Sequence, residues 1–198
     1  MEWTGSPGSS ARLIPSARSL VIFSSNAVLF TLLIALSARM SLRVPGSPVP
    51  ATLQTLAVLL AGGLLGPVGG VASVSAYLGA GLAGAPVFAS GGGAAYLFGP
   101  TGGYLLGLLP AAWLAGHFSR RSSRMRILLP GFFLAACVIQ VSGWGQLAAM
   151  AGALPALRLG VTPFLALDAL KALLAAGSVW IVRTGRMKAF LPPGMRQP

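Results

Sequence analysis

The chain has 198 residues, of which 55% are hydrophobic and only 8% are charged, and its formal net charge is +12. Soluble domains carry roughly 25% charged residues, so this composition excludes an ordinary soluble fold. The basic residues form short clusters between long apolar runs, which favours the positive-inside pattern of a membrane protein over nucleic-acid binding.

The first part of the chain is predicted to form a flexible segment followed by a membrane helix. Residues 1–19 are rich in Ser, Gly and Pro, and we interpret them as a flexible cytoplasmic N-terminus. Arg12 and Arg18 precede an apolar run, as in a signal peptide. The run continues over residues 20–40 without a clear cleavage site, so it is predicted to be the first membrane helix.

Five further apolar runs follow along the chain. About 20 apolar residues in a helix cross the roughly 30 Å of bilayer hydrocarbon. The predicted helices are residues 20–40, 51–66, 67–84, 103–118, 127–151 and 163–182. Only Gly66 and Pro67 separate the second from the third, which suits a tight turn between antiparallel helices. Residues 20–185 are thus predicted to form one six-transmembrane-helix bundle, and residues 186–198 a basic cytoplasmic tail.

The positions of the charges predict the orientation. With a cytoplasmic N-terminus, ten of the 14 basic residues fall inside, three fall outside, and Lys171 lies within the membrane. The inside set is Arg12, Arg18, Arg120, Arg121, Arg124, Arg126, Arg183, Arg186, Lys188 and Arg196; the outside set is Arg39, Arg43 and Arg158. This asymmetry favours an N-in, C-in topology.

Small residues recur every fourth position on two helices, where they allow close helix packing. Ala72, Ala76, Ala80 and Gly84 predict a packing face within the bundle. Ala27, Thr31 and Ala35 form a similar ridge on the first helix, and this ridge is a candidate surface for a partner protein.

Two connections are longer than simple turns, and both fall outside in this topology. Residues 41–50 contain three prolines, and residues 85–102 are rich in glycine. Lids over a site are a common reason for long ordered loops. Phe88, Tyr96 and Phe98 supply aromatic faces that could cover an apolar ligand.

Asp168 and Lys171 are the sharpest candidates for a functional site. Each charge in a membrane helix costs about 2.5–3.5 kcal/mol on insertion scales. The two residues stand three apart, mid-helix in the predicted sixth span, and can pair on one face. The pair is either a ligand anchor or a structural contact that sets helix packing, and local sequence leaves both interpretations open.

Other polar residues are weaker candidates, because membrane helices also use such side chains for interhelical bonds. They are Thr52, Gln54, Tyr77, Gln140, Trp144 and Gln146. The Gly-rich segments lack the Gly-Lys-Ser/Thr of a phosphate-binding loop, and no Ser/His/Asp set or metal-ligand spacing is evident. We therefore predict neither catalysis, nor a metal, nor a cofactor.

Four segments together resemble the BioY family. They are VPGSPVPATLQTLAVLLAGGLLGPVGG at 44–70, AYLGAGLAGAPVFASGGG at 76–93, FGPTGGYLLGLLPAAWLAG at 98–116, and PFLALDALKALLA at 163–175. The resemblance covers most of residues 20–185, and the combination of the four segments is highly specific.

The resemblance implies the biotin-binding S-component of an energy-coupling factor (ECF) transporter in a bacterial inner membrane. Such proteins are six-helix bundles that bind a vitamin near the outer face beneath loop lids. They associate with a transmembrane coupling protein and two ABC-type ATPases, so only the partners would use ATP. An alternative is that the chain functions without these partners, either alone or as a homo-oligomer.

The resemblance also implies roles for individual residues. Asp168 and Lys171 are expected to bind biotin, and Ala27, Thr31 and Ala35 to form the docking surface. Further expected ligand contacts are Thr52, Gln54, Arg43, Tyr77, Phe88, Tyr96 and Tyr104. The alternatives are an S-component for another vitamin, such as thiamine, and a membrane scaffold protein that binds no small ligand.

Overall fold

The computed structural model describes residues 17–185, and residues 1–16 and 186–198 lie outside it. The predicted cytoplasmic tail, and nearly all of the predicted flexible N-terminus, are therefore outside the described residues. Helix α1 spans Ala17–Arg39, α2 Gln54–Leu82, α3 Gly102–Arg121, α4 Met125–Ala151, α5 Ala153–Ala156 and α6 Leu165–Arg183. Strands β1 (Ser41–Leu42) and β2 (Ala51–Thr52), a 3-10 helix (Ala94–Phe98) and a π-helical turn (Leu157–Val161) complete the described part.

Helix α2 is two helices joined by a reversal at Gly66. Gly66 has φ 82° and ψ 179°, a backbone conformation that is essentially restricted to glycine, and Pro67 follows it. After the reversal Gly70 packs on Gly62, since a Cβ atom on Gly70 would lie 2.6 Å from the Gly62 Cα. The predicted tight turn between antiparallel helices is thus confirmed, with residues 54–65 and 67–82 as the two halves.

Six helical segments cross the bundle in the described part of the chain. By length and composition, α1, α4 and α6 qualify as membrane spans, and α2 does so when residues 54–82 are counted as one run across the reversal. Helix α3 is as long as α6 but less apolar, because it ends in Arg120 and Arg121. Counting α2 as two segments, the protein is an all-α membrane protein with a six-helix bundle.

The outer faces of the helices are apolar, as lipid contact requires. On α6, Leu167, Leu170 and Leu174 are exposed, while the small residues Ala172 and Ala176 are buried. Helix α1 packs mainly on α2 and exposes most of its large side chains. Helix α6 therefore turns small residues to the interior and leucines to the surface.

The two small-residue ridges lie in different places. Thr31 of the first ridge faces the second half of α2, and its hydroxyl lies 2.8 Å from the Ala27 carbonyl oxygen of its own helix and 3.0 Å from the Ser73 carbonyl oxygen. Ala76 of the second ridge is exposed on the surface of the bundle. The prediction that the second ridge packs within the bundle is wrong for Ala76 and for Gly84, which is also exposed. Helix pairing near Ala76 uses the neighbouring face that carries Ser73 and Tyr77, and Gly84 lies beyond the end of α2.

One end of the bundle, the outer end, carries the long connections. Strands β1 and β2 pair antiparallel and close the loop 43–50 into a hairpin. Val49 of this hairpin is buried in one cluster with Leu147 at the end of α4 and Phe164 before α6. The hairpin and the connection between α4 and α6 thus pack together above the bundle, as lid loops would.

The opposite end, the inner end, holds the reversal of α2 together with the ends of α3 and α6. The Ser119 hydroxyl donates to the Gly63 carbonyl oxygen at 2.6 Å. Arg183 in turn donates from Nη1 to the Ser119 carbonyl oxygen at 2.6 Å. The arginine-rich helix ends therefore gather on the side away from the lids, which agrees with the N-in, C-in arrangement of charges.

Candidate ligand-binding site

A cavity opens at the outer end of the bundle beneath the hairpin loop. The cavity volume is about 70 Å³, and the cavity opens outward. Its walls come from the hairpin, the loop 83–101 and helices α2, α3, α4 and α6. The lining residues are Val49, Pro50, Ala51, Thr52, Gln54, Thr55, Ala89, Tyr96, Thr101, Tyr104, Leu105, Leu108, Ile139, Gln140, Phe164, Asp168 and Lys171.

A charged and polar cluster forms one wall of this cavity. The Lys171 ammonium donates to Asp168 Oδ1 at 2.7 Å, and the Gln140 amide nitrogen donates to Asp168 Oδ2. All three residues are buried, with 6–8% of their surface exposed. The pair predicted from the i, i+3 spacing is thus formed, and α4 adds a third member to it.

Asp168 lies closer to the outer end than the sequence suggested. Helix α6 begins at Leu165, so Asp168 stands in its first turn and Lys171 one turn deeper. The mid-helix placement is therefore wrong for Asp168, because the chain turns at Thr162–Phe164 before the helix starts. A carboxylate in the first turn gains from the positive end of the helix dipole.

Two buried amide atoms in the cavity wall have no hydrogen-bond partner among the described residues. They are Oε1 of Gln140 and Nε2 of Gln54, and each residue is 93% buried. The Tyr77 hydroxyl lies close to the Gln54 side chain, although not in good hydrogen-bond geometry. Buried polar groups in proteins are nearly always bonded, so each of these two amide atoms lacks the partner that such a group normally has.

The remaining lining is largely apolar. Leu105, Leu108, Ile139 and Phe164 offer hydrophobic contacts in the same cavity. Tyr104 also faces the cavity, and its hydroxyl is held by a 2.7 Å bond to the Gly160 carbonyl oxygen in the π-helical turn. The cavity therefore combines one polar wall with apolar and aromatic walls.

Six of the nine predicted ligand contacts line this cavity. They are Asp168, Lys171, Thr52, Gln54, Tyr96 and Tyr104. Thr52 has a second task, because its Oγ1 accepts the backbone N–H of Gln54 at 3.3 Å at the start of α2. Contact of these six residues with a ligand remains a prediction.

Tyr77 and Phe88 lie behind the cavity wall rather than in it. Both are fully buried, and their rings meet edge to face with centroids 5.5 Å apart. Phe88 also packs on Tyr96, with ring centroids 5.0 Å apart. The structure therefore gives these two side chains a supporting place behind Tyr96. Phe98, the third predicted covering aromatic, points away from the bundle and is 82% exposed.

Arg43 belongs to a separate vestibule further out. This vestibule is formed by the hairpin loop and Ser90, and it shares Val49 and Pro50 with the cavity. Arg43 is exposed there, so it is placed to meet a charged group at the entrance rather than inside the cavity.

Several lining residues have no distinctive signal in the sequence. Gln140 is only a weak candidate from the sequence, and Thr55, Thr101, Ile139 and Phe164 carry no signal there. Ile139 and Phe164 are ordinary apolar residues in apolar runs, so only their position in the bundle identifies them. For Gln140, the signal was a polar residue inside a long apolar helix.

Gln146 holds the second lid loop onto α4. Its Nε2 donates to the carbonyl oxygens of Leu97 and Gly99, both at 2.7 Å. These bonds fix the end of the 3-10 helix that carries Tyr96, so Gln146 positions one wall of the cavity without lining it.

The arrangement suits binding of a small, mostly apolar molecule with a polar head. Carboxylate and amide oxygens accept hydrogen bonds, while the ammonium and amide nitrogens donate them. In residues 17–185 no three His, Cys, Asp or Glu side chains come together as a metal site. The polar groups of the cavity are thus suited to recognition by hydrogen bonds.

Comparison with known proteins gives a consistent result. The family model described as BioY family matches residues 15–187. A probable biotin transporter BioY of Pyrococcus horikoshii is 41% identical over 145 residues, which cover 73% of this chain and 85% of the relative. A biotin transporter BioY of Rhizobium etli is 32% identical over 172 residues, covering 81% and 90%.

A solved structure is similar as well. It is the crystal structure of the S-component for biotin from an ECF-type ABC transporter. The TM-score is 0.79 at 28% sequence identity, and the match covers 86% of this chain and 95% of that chain.

Proposed function

The chain belongs to the BioY family, and from this membership we propose that it captures biotin at the outer face of the membrane as the S-component of an ECF-type vitamin uptake transporter. The single observation that carries the proposal is the buried cluster of Asp168, Lys171 and Gln140 in an otherwise apolar cavity beneath the lid loops.

The chemistry of biotin suits this cluster. Its ureido ring has two N–H donors and one carbonyl acceptor. The Asp168 carboxylate accepts from a ring N–H, and the neighbouring Lys171 ammonium donates to the ring carbonyl, so donor and acceptor on the ligand meet their opposites in the protein. Both charges stay paired with each other at 2.7 Å in the absence of ligand. The site therefore needs no free charge to be buried before biotin arrives.

The rest of biotin suits the other walls. The apolar bicycle and the valeryl chain pack against residues such as Leu108, Ile139 and Phe164. With the ureido ring at the polar cluster, the valeryl carboxylate points toward the entrance. Arg43 in the vestibule then supplies the opposite charge, in an exposed position where the carboxylate keeps part of its hydration.

We propose that uptake is driven by partner proteins. The sequence has no phosphate-binding Gly-Lys-Ser/Thr motif. The similar solved structure is the S-component for biotin from an ECF-type ABC transporter, and this similarity supports a transmembrane coupling protein and two ABC-type ATPases in a bacterial inner membrane as the energy source. The chain itself then needs no cofactor and catalyses no reaction. Docking through Ala27, Thr31 and Ala35 of α1 stays a prediction, because these residues share a partly buried face of α1 on which Thr31 contacts Ser73 and Ala35 packs on the core. Replacing both alanines with leucine is expected to reduce copurification of the coupling protein, and unchanged copurification would contradict this docking site.

Equilibrium binding of labelled biotin to the purified protein in detergent tests the main proposal. We expect saturable binding that Asp168→Ala abolishes, and no competition from thiamine or riboflavin. Val141→Leu, on the exposed face of α4, is the matched control and should bind as the wild type does. A folded wild-type protein that does not bind biotin would refute the proposal.

A further inference from the structure

We propose that the side-chain oxygen of Gln140 accepts a hydrogen bond from one of the two ureido N–H groups of the ligand. Gln140 thereby selects cyclic ureas with an unsubstituted nitrogen. This inference rests on the proposed function, because it assigns a specificity role within the same cavity. The observation that carries it is the unpartnered Oε1 of Gln140, on a residue that is 93% buried and lines the cavity.

The chemistry of the neighbouring carboxylate fixes the orientation of the Gln140 amide. A carboxylate that is paired with an ammonium group only accepts hydrogen bonds, and Asp168 forms such a pair with Lys171 through Oδ1. Gln140 must therefore present its nitrogen to Asp168 Oδ2, as it does. A flipped amide would bring two oxygen acceptors together without a proton between them. The Gln140 oxygen is consequently left over as an acceptor.

The Gln140 side-chain oxygen lacks a hydrogen-bond donor, which a ligand can supply. Among residues 17–185 no donor bonds to it. Of the groups on biotin, only the two ureido N–H groups are strong donors when the valeryl carboxylate is ionised. With Asp168 beside it, Gln140 makes two acceptors available to a ring that carries two donors. Gln140 thus determines specificity for a ureido nitrogen that carries a hydrogen.

The role of Gln140 differs from that of Asp168. Asp168 and Lys171 supply charge, which strengthens hydrogen bonds to any polar head that enters. Gln140 supplies a neutral acceptor at one place, so its contribution depends on whether the ligand has an N–H there. A site that bonds a ligand group rejects an analogue lacking it, because its own polar atom then stays buried and unpaired.

N-methylated biotins provide a direct test. The two isomers carry a methyl group on one or the other ureido nitrogen, and each lacks one N–H. The wild-type protein is expected to bind one isomer at least tenfold more weakly than biotin, because that isomer cannot donate to Gln140. A factor of this size corresponds to the loss of one buried hydrogen bond. Gln140→Ala removes the acceptor and makes room for the methyl group. We expect this variant to bind that isomer about as well as it binds biotin.

The second isomer and a neighbouring variant serve as controls. The other N-methyl isomer should lose affinity equally in the wild type and in Gln140→Ala. Cys137→Ala, on the exposed side of the same helix, should keep the wild-type pattern for all three ligands. A melting curve for each variant in detergent establishes that it is folded.

The outcomes separate this inference from the proposed function. A wild type that binds biotin while Gln140→Ala keeps full discrimination against both isomers would overturn the role of Gln140 alone. Equal wild-type affinity for biotin and both isomers would also overturn it, even if Gln140→Ala does not fold. A wild type that binds no biotin would instead refute the proposed function.

Discussion

The Lys171 ammonium lies 2.7 Å from Asp168 Oδ1, one turn along the same helix, and both side chains are about nine-tenths buried. An ion pair at this depth is either a ligand anchor or a packing contact. Removing one partner of a buried pair destabilises a protein by about 3–5 kcal/mol, whereas replacing both with neutral groups of similar size is often tolerated.

Single and double replacement of the pair distinguish these two roles. We expect Asp168→Asn to lower the melting temperature in detergent, because it leaves the Lys171 ammonium buried without a counter-charge. The double variant Asp168→Asn/Lys171→Met should recover most of that stability but not biotin binding. A double variant that is stable and still binds biotin with wild-type affinity would show that the pair is only structural.

The reversal of α2 depends on glycine at position 66. Gly66→Ala is expected to destabilise the protein by about 1–3 kcal/mol from backbone strain alone, since φ is +82° there. The added Cβ would also collide with the Arg120 side chain. Gly79→Ala is the matched control, because Gly79 is helical and has no neighbour within 4 Å of the added atom.

Melting temperature and the monodisperse fraction on size exclusion measure both glycine variants. Gly79→Ala should be neutral or slightly stabilising, since alanine favours helix over glycine. Equal behaviour of the two variants would contradict a sharp reversal at Gly66.

Gln146 is expected to control how long a bound ligand stays. Gln146→Glu keeps the size of the side chain but cannot donate to the carbonyl oxygens of Leu97 and Gly99 when ionised. Loss of these two bonds, at about 1 kcal/mol each, should loosen the loop beneath Tyr96 and raise the biotin dissociation rate roughly tenfold. Stopped-flow chase with unlabelled biotin measures the rate, and an unchanged rate would show that this loop does not hold the ligand in.

The orientation in the membrane is open to a labelling test. Cys137 is the single cysteine of the chain, so a Cys137→Ala background accepts new cysteines at exposed Ser90 and Ser123. A membrane-impermeant maleimide added to intact cells should label Ser90→Cys but not Ser123→Cys. After cell lysis both should react, and the reverse pattern in intact cells would contradict the N-in, C-in topology.

Local sequence was sufficient for the helices and for the ion pair. A helix that crosses the bilayer needs a continuous apolar run, and Gly66-Pro67 interrupts such a run between two segments. The pair Asp168–Lys171 is visible because residues three apart on a helix share a face. The asymmetry of the arginines likewise depends only on their positions between apolar runs.

Tertiary structure alone decided which side chains meet. Gln140 stands 28 residues before Asp168, and only the packing of α4 against α6 brings its amide to the carboxylate. The same holds for Phe88, which is buried under Tyr96 instead of covering the cavity, and for Ala76, which is exposed instead of packed. In a membrane protein the lipid and the bundle interior are both apolar, so hydrophobicity predicts that a helix spans the bilayer but not which of its faces turns inward.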